Sequence, residues 1–190
     1  HTAYRRQRQM CIRDSCSTYG NLLRKLMTLL IDADWLIYSS CCACEQDIQW
    51  DSNLHTLHAD ERDVHEMVDG RVAHYQTIAE GDKNVVMCFT EYPTFRHTIY
   101  PEYKANRKHK RKPLGLRKII EGVRERYTSE SYPGLEGDDV MSILATSKKY
   151  SDSIIVSVDK DMRSVPCTLL AGDDMELITK RKADRPVSYT

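Results

Sequence analysis

Four groups of acids stand where a chain could do chemistry. Asp32 closes the apolar run in "LLIDAD", and Glu91 directly follows "VVMCFT". Glu136, Asp138 and Asp139 form an E-x-D-D in "LEGDDV", and Asp159 and Asp161 form a D-x-D in "VSVDKDM". Carboxylates brought together repel one another unless cations neutralise them. An all-oxygen donor set suits hard divalent ions, so Mg²⁺ or Mn²⁺ is the expected cofactor. Two such ions about 4 Å apart can activate a water and stabilise the leaving oxygen of a phosphodiester. Each group also has a plain explanation: Asp138 and Asp139 suit the first turn of any helix, and acids after strands are common in loops. The metal reading rests on all four occurring together.

A concentrated basic segment accompanies them. "PEYKANRKHKRKP", Pro101 to Pro113, holds six Lys or Arg residues and one acid in a chain of zero formal net charge. Taken as a helix, Lys104, Arg107, Lys108 and Arg111 stand at i, i+3, i+4 and i+7 and share one face. That face can hold substrate phosphates, Arg107 bidentately, and Tyr103 can stack on a base. A solvated basic helix is the plain alternative. Residues 1–26 carry six further basic residues against Asp14 alone, so the remainder is mildly acidic. Local positive charge on an acidic body suits a site better than a general polyanion-binding surface.

The elements that must position these groups follow from the pattern. "TLLIDA" (28–33), "VVMCFT" (85–90) and "SIIVSV" (153–158) are short apolar runs of strand length, each ending in acid. "WLIYSSCCACE" reads as a helix, and 48–56 as a polar loop. Val64, Met67, Val68, Val72, Tyr75 and Ile78 recur at helical spacing, as do Leu116, Ile119, Ile120, Val123 and Tyr127. A further helix is expected from about Asp138, with Val140, Ile143 and Leu144 facing the core. "TLLA" and "MELIT" around "GDD" predict a hairpin. Alternating strands and helices predict an α/β fold with a largely parallel central sheet, and apolar strands fit burial on both faces. In such sheets ligands sit beyond the C-terminal strand ends, where the acids are.

Composition narrows the class. The chain has 190 residues, 41% hydrophobic and 29% charged, which suits one globular domain. No apolar run approaches the roughly 18 residues of a membrane helix, and no signal-peptide core is evident. Seven cysteines, three of them crowded at 41, 42 and 44, do not suggest a disulfide framework. A cytoplasmic location and a monomer are expected. "QMCIRDS" (9–15) and "VSYT" (187–190) have the look of translated adapter sequence. Residues 1–26 and 186–190 are therefore expected to be non-native, with Met27 as the start and the native chain continuing beyond Arg185.

The motifs "LLIDAD", "FTEYPTFRHTIYPEYKANR", "EGDDV" and "VSVDKDM", in this order, resemble the bacteriophage 5′→3′ exonuclease and flap endonuclease family over about residues 27–185. The resemblance implies a PIN-like three-layer α/β nuclease domain and two-metal hydrolysis of DNA near a 5′ end, with RNA as the alternative substrate. It implies that Asp32, Glu91, Glu136, Asp138, Asp139, Asp159 and Asp161 hold the metals, directly or through water. Lys104 and Arg107 match the basic pair at the scissile phosphate. Arg96, Tyr103, Lys108 and Arg111 would contact nucleic acid. Glu91 stands where the family usually has Asp. Gly137 replaces an Ala, which should loosen that helix start by about 1 kcal/mol. The family's further acids and helix–three-turn–helix lie beyond the end of this sequence. Two alternatives stand beside the nuclease: a truncated fragment that binds nucleic acid without turnover, and a PIN-type ribonuclease, against which "PEYKANR" argues.

Overall fold

The structure, a computed structural model, describes residues 27–81, 83–107 and 109–184. The expected leader (1–26), the expected tail (186–190), Arg185 and Lys108 lie outside the described residues. Six strands form one sheet in the order β5–β4–β1–β6–β7–β8. These are β1 (Thr28–Asp32), β4 (Asn84–Cys88), β5 (Thr128–Glu130), β6 (Ile154–Val156), β7 (Thr168–Ala171) and β8 (Asp174–Leu177). All neighbours run parallel except β7 and β8, which form the expected terminal hairpin. β1 is central, with β4 on one side and β6 on the other. The chain order changes direction there, and such a switch point opens a crevice beyond the strand ends.

Side chains alternate across the sheet and feed two cores. Leu29, Ile31, Met87, Ile154 and Val156 face one layer, made by α1 (Ala33–Cys44), α2 (Glu61–Ile78) and α4 (Leu116–Arg126). Leu30, Val86, Cys88, Ile155 and Leu169 face the other, made by α5 (Gly137–Thr146), the 3₁₀ turn Lys160–Ser164 and α6 (Lys180–Ala183). Helix starts follow capping chemistry. Asp32 accepts from the Trp35 N–H at 3.1 Å, and Asp60 from the Arg62 N–H at 2.8 Å.

Three local expectations change. Residues 48–56 are not a loop throughout: β2 (Gln46–Gln49) and β3 (His55–His58) pair as an antiparallel hairpin. Asp51 makes its turn by accepting from the Asn53 and Leu54 N–H groups at 2.7 and 2.8 Å. The hairpin is mostly exposed on both faces, so it carries no hydrophobic alternation to announce it. Residues 104–111 are not a helix either. Among the described residues of this segment, Lys104 adopts φ 55°, a left-handed conformation outside any right-handed helix, and Ala105–Arg107 form a single 3₁₀ turn. A short helix, α3 (Phe95–Ile99), precedes that segment. In α5, Ile143 is 46% exposed while Met141 is fully buried, since the buried stripe runs through Val140, Met141, Leu144 and Ala145.

Leu30, at the centre of β1, is fully buried. Leu30→Ala is expected to lower unfolding free energy by about 2–5 kcal/mol, measured by urea denaturation.

Candidate nuclease active site

The acids expected from the sequence arrive at one edge from three elements. Asp32 ends β1 and caps α1. Glu136 caps α5, with Asp138 and Asp139 in its first turn. Asp159 follows β6 and caps the 3₁₀ turn, its Oδ1 accepting from the Asp161 N–H at 2.9 Å. Ser157 ties two of these elements together. Its hydroxyl donates to Asp32 Oδ2 at 3.5 Å and accepts from the Asp159 N–H at 3.1 Å.

The charges divide into two sets. Among the described residues, Asp32, Asp138 and Asp159 have no ion-pair contact with a Lys or Arg, although the Lys104 charge acts on Asp138 from a distance. Burial, then the charges of Asp34 and Asp159, push the Asp32 carboxyl up to about 6, although the Trp35 N–H works against this. Burial, then Asp32, Asp159 and Glu136, push Asp138 up to about 7, with Lys104 opposing. Glu136 and Asp139 are instead paired. Lys104 Nζ donates to both Glu136 oxygens at 3.0 Å, and the Tyr103 hydroxyl donates to Glu136 at 3.2 Å. Arg96 donates two bonds to Asp139 at 2.5 and 2.9 Å, and this holds the Asp139 carboxyl below its usual range. Burial is the largest single influence on Lys104 and works against its charge, but Glu136 and Tyr103 together outweigh it and its pKa rises.

Three side chains, Asp34, Thr90 and Ser157, join the site that the sequence reading left out. Asp34 accepts from the Thr90 N–H at 3.0 Å, and burial, more than any neighbour, raises its pKa. The Thr90 hydroxyl in turn accepts from the Gly137 N–H at 3.0 Å. A bridge therefore runs from α1 to the loop after β4 and on to α5. Its signal was visible in "DAD", whose second acid lies in the first turn of α1. Ser157 had no comparable signal. The close approach also gives Gly137 a reason: an added Cβ would lie 3.3 Å from the Cys88 carbonyl oxygen and 3.6 Å from Asp34. The first turn of α5 is seated on the end of β4, so the contact offsets the loosening expected of glycine.

Other expected site residues stand apart. Glu91 is exposed and accepts from the Ser131 hydroxyl at 3.1 Å. Arg111 forms a two-bond pair with Glu45, at 2.8 and 2.6 Å, next to the end of α1. Arg107 is exposed on the turn after Lys104, and Asp161 is exposed beside Asp159. Among the described residues, no three His, Cys, Asp or Glu side chains close into a finished metal cage.

For Asp138, folding raises the pKa from 3.8 to about 7. The folded state then binds more protons than the unfolded state between those values, so this group lowers stability as pH rises from about 4 to 7. In EDTA, Asp138→Asn is expected to raise Tm at pH 8 by a few degrees, and to change it little at pH 4, in thermal melts followed by circular dichroism.

Comparison with known proteins identifies the family and the fold. The family model for the 5′-3′ exonuclease, N-terminal resolvase-like domain, matches residues 27–184. The chain is 28% identical over 180 residues to the exodeoxyribonuclease of Enterobacteria phage T3, covering 90% of this chain and 57% of that protein. It is 29% identical over 163 residues to the exonuclease of Escherichia phage T7, covering 82% and 52%. The chain thus spans little more than half the length of these relatives. A solved complex of the bacteriophage T5 flap endonuclease with DNA and metal ions superposes with a TM-score of 0.51 at 10% identity, over 80% of this chain and 57% of that one, a likeness of fold. With its sheet order, its acidic strand ends and a family match across all but the outermost residues, this chain belongs to the 5′-3′ exonuclease N-terminal resolvase-like domain family.

Proposed function

We propose that this chain is the catalytic domain of a divalent-metal-dependent 5′ nuclease that hydrolyses phosphodiester bonds of DNA near a 5′ end and works in the cytoplasm. One observation carries the reading. Asp32, Asp138 and Asp159 converge from separate elements with raised carboxyl pKa values at Asp32 and Asp138, directly beside a Lys104–Glu136 pair.

The donor set fits Mg²⁺ or Mn²⁺. It is all carboxylate, and its negative charge is only partly compensated by side chains. Asp32, Asp138 and Asp159 are the proposed main ligands for two ions, with Asp34, Glu136, Asp139 and Asp161 direct or water-linked. When bound, such ions polarise the phosphodiester and make water a better nucleophile. Glu91, facing Ser131, has a more distant part in this scheme.

The chain's own cations act on the phosphate. An ammonium has three donors. Two from Lys104 reach Glu136, which leaves one N–H for a phosphate oxygen. Arg107, exposed three residues on, adds a bidentate donor on the approach. Arg96 has both terminal nitrogens on Asp139, so its first task is to position that acid. Arg111, paired with Glu45, anchors the end of the basic segment and adds charge to a DNA track. Lys108 belongs to the same proposed track.

A second reading has its own support: no closed metal cage forms among the described residues, and on this reading the chain binds nucleic acid without turnover. A 5′-labelled flap DNA separates the two. Under the nuclease reading, Mg²⁺ or Mn²⁺ drives cleavage, EDTA stops it, and the double substitution Asp138→Asn with Asp139→Asn abolishes it. Salt-sensitive binding with no metal-dependent product would overturn that reading in favour of binding alone. In an active protein, Lys104→Met is expected to lower kcat by about 10²–10³-fold in single-turnover assays, in line with loss of a donor to transition-state charge.

A further inference from the structure

The loop between β4 and α3 carries an aromatic residue that the carboxylates and cations leave unused. Tyr92 is 70% exposed. An exposed tyrosine alone means little, but this one is built into place. Its loop is pinned on both sides of the residue: the Glu91 N–H donates to the Leu135 carbonyl at 3.0 Å and the Phe95 N–H to the Gly134 carbonyl at 2.8 Å. These partners immediately precede Glu136, so the loop is referenced to the site itself.

The ring is also one of a row. Tyr92 meets His97 edge-on, with centroids 5.9 Å apart, and His97 meets Tyr103 at 5.5 Å and 84°. His97 is fixed from behind by the fully buried Thr94, whose hydroxyl lies 2.7 Å from Nδ1. The row begins at solvent and ends at the Tyr103 hydroxyl on Glu136. The Tyr92 phenol lies within electrostatic reach of Asp34, Lys104, Glu136 and Arg107, which places it at the mouth of the site. Exposed rings interleaved with cations that track a backbone are how proteins hold single-stranded nucleic acid without reading its sequence. A tyrosine does so at low entropic cost, having only two side-chain torsions to fix.

We infer that Tyr92 is a base-stacking residue at the entrance, receiving a nucleobase of a single-stranded DNA segment as its phosphates meet Lys104 and Arg107, with His97 as its positioning residue. This rests on the nuclease reading above and adds a contact to the base where that reading supplied contacts to phosphate.

The test is fluorescence anisotropy with the 190-residue chain in Ca²⁺, comparing a short labelled oligothymidylate with an abasic strand of equal length. Tyr92→Ala is expected to weaken binding of the base-bearing strand by about 5- to 150-fold and to leave the abasic strand within about twofold. Tyr92→Phe should retain binding, and His97→Ala should show part of the Tyr92→Ala loss, again confined to the base-bearing strand. Unchanged affinity in Tyr92→Ala, or equal loss on both strands, overturns the inference while leaving the nuclease reading intact. If the unsubstituted protein binds neither strand, the nucleic-acid reading fails first and this inference falls with it. Matching thermal melts of the variants exclude a folding defect.

Discussion

A carboxylate at the end of a buried central strand is expensive to keep charged, and this fold is organised around that conflict. β1 is buried along its whole length, so Asp32 sits where the sheet and α1 remove water from it. Two further acids from α5 and from the turn after β6 enter the same space. Hydrophobic burial on both faces of the sheet holds these elements regardless of the repulsion. The protein therefore keeps a region of negative potential at one edge that the apolar cores, not local pairing, maintain. Such a region is what the proposed binding of small hard cations draws on.

The basic segment answers this field at two separate places. Lys104 reaches Glu136, and Arg111 reaches Glu45 beside the end of α1. Between these contacts, Arg107 at the end of the 3₁₀ turn and Lys110 are exposed. Its opening residue stores some strain, since Lys104 is a non-glycine at φ 55°. There the ammonium and the Tyr103 hydroxyl both reach Glu136, while Asn106 and Arg107 face solvent. The concentrated positive charge is thus divided between cations that hold acids in position, Lys104 and Arg111, and cations left exposed, Arg107 and Lys110.

The paired and unpaired acids have different consequences. Glu136 and Asp139 are fixed in orientation by Lys104, Tyr103 and Arg96, which makes the first turn of α5 a rigid platform. Asp138, between them in sequence, is left to face Asp32 and Asp159. Adjacent residues on a helix point about 100° apart, so one turn can serve both purposes. Gly137 lets that turn sit against the end of β4, and Thr90 and Asp34 complete the seam.

Five strands of the main sheet, the longer helices and the acidic strand ends were legible in the sequence because each depends on local pattern: apolar runs, helical spacing and residue type next to a strand end; the sixth, β5, is the short polar "TSE" and has no such pattern. The family resemblance drew on the same local motifs. The hairpin β2–β3 escaped because neither of its faces is buried, and the basic segment was misread as a helix because charge spacing says nothing about the backbone at Lys104. Residue types alone grouped the acids but could not sort them. Which carboxylate is paired and which is left bare depends on contacts between residues far apart in the chain: 32 positions for Lys104 and Glu136, 43 for Arg96 and Asp139, 66 for Arg111 and Glu45. Those distances close only when helices pack on a twisted sheet, so the chemistry of the acids was written in the sequence and their division of labour was decided by the tertiary structure.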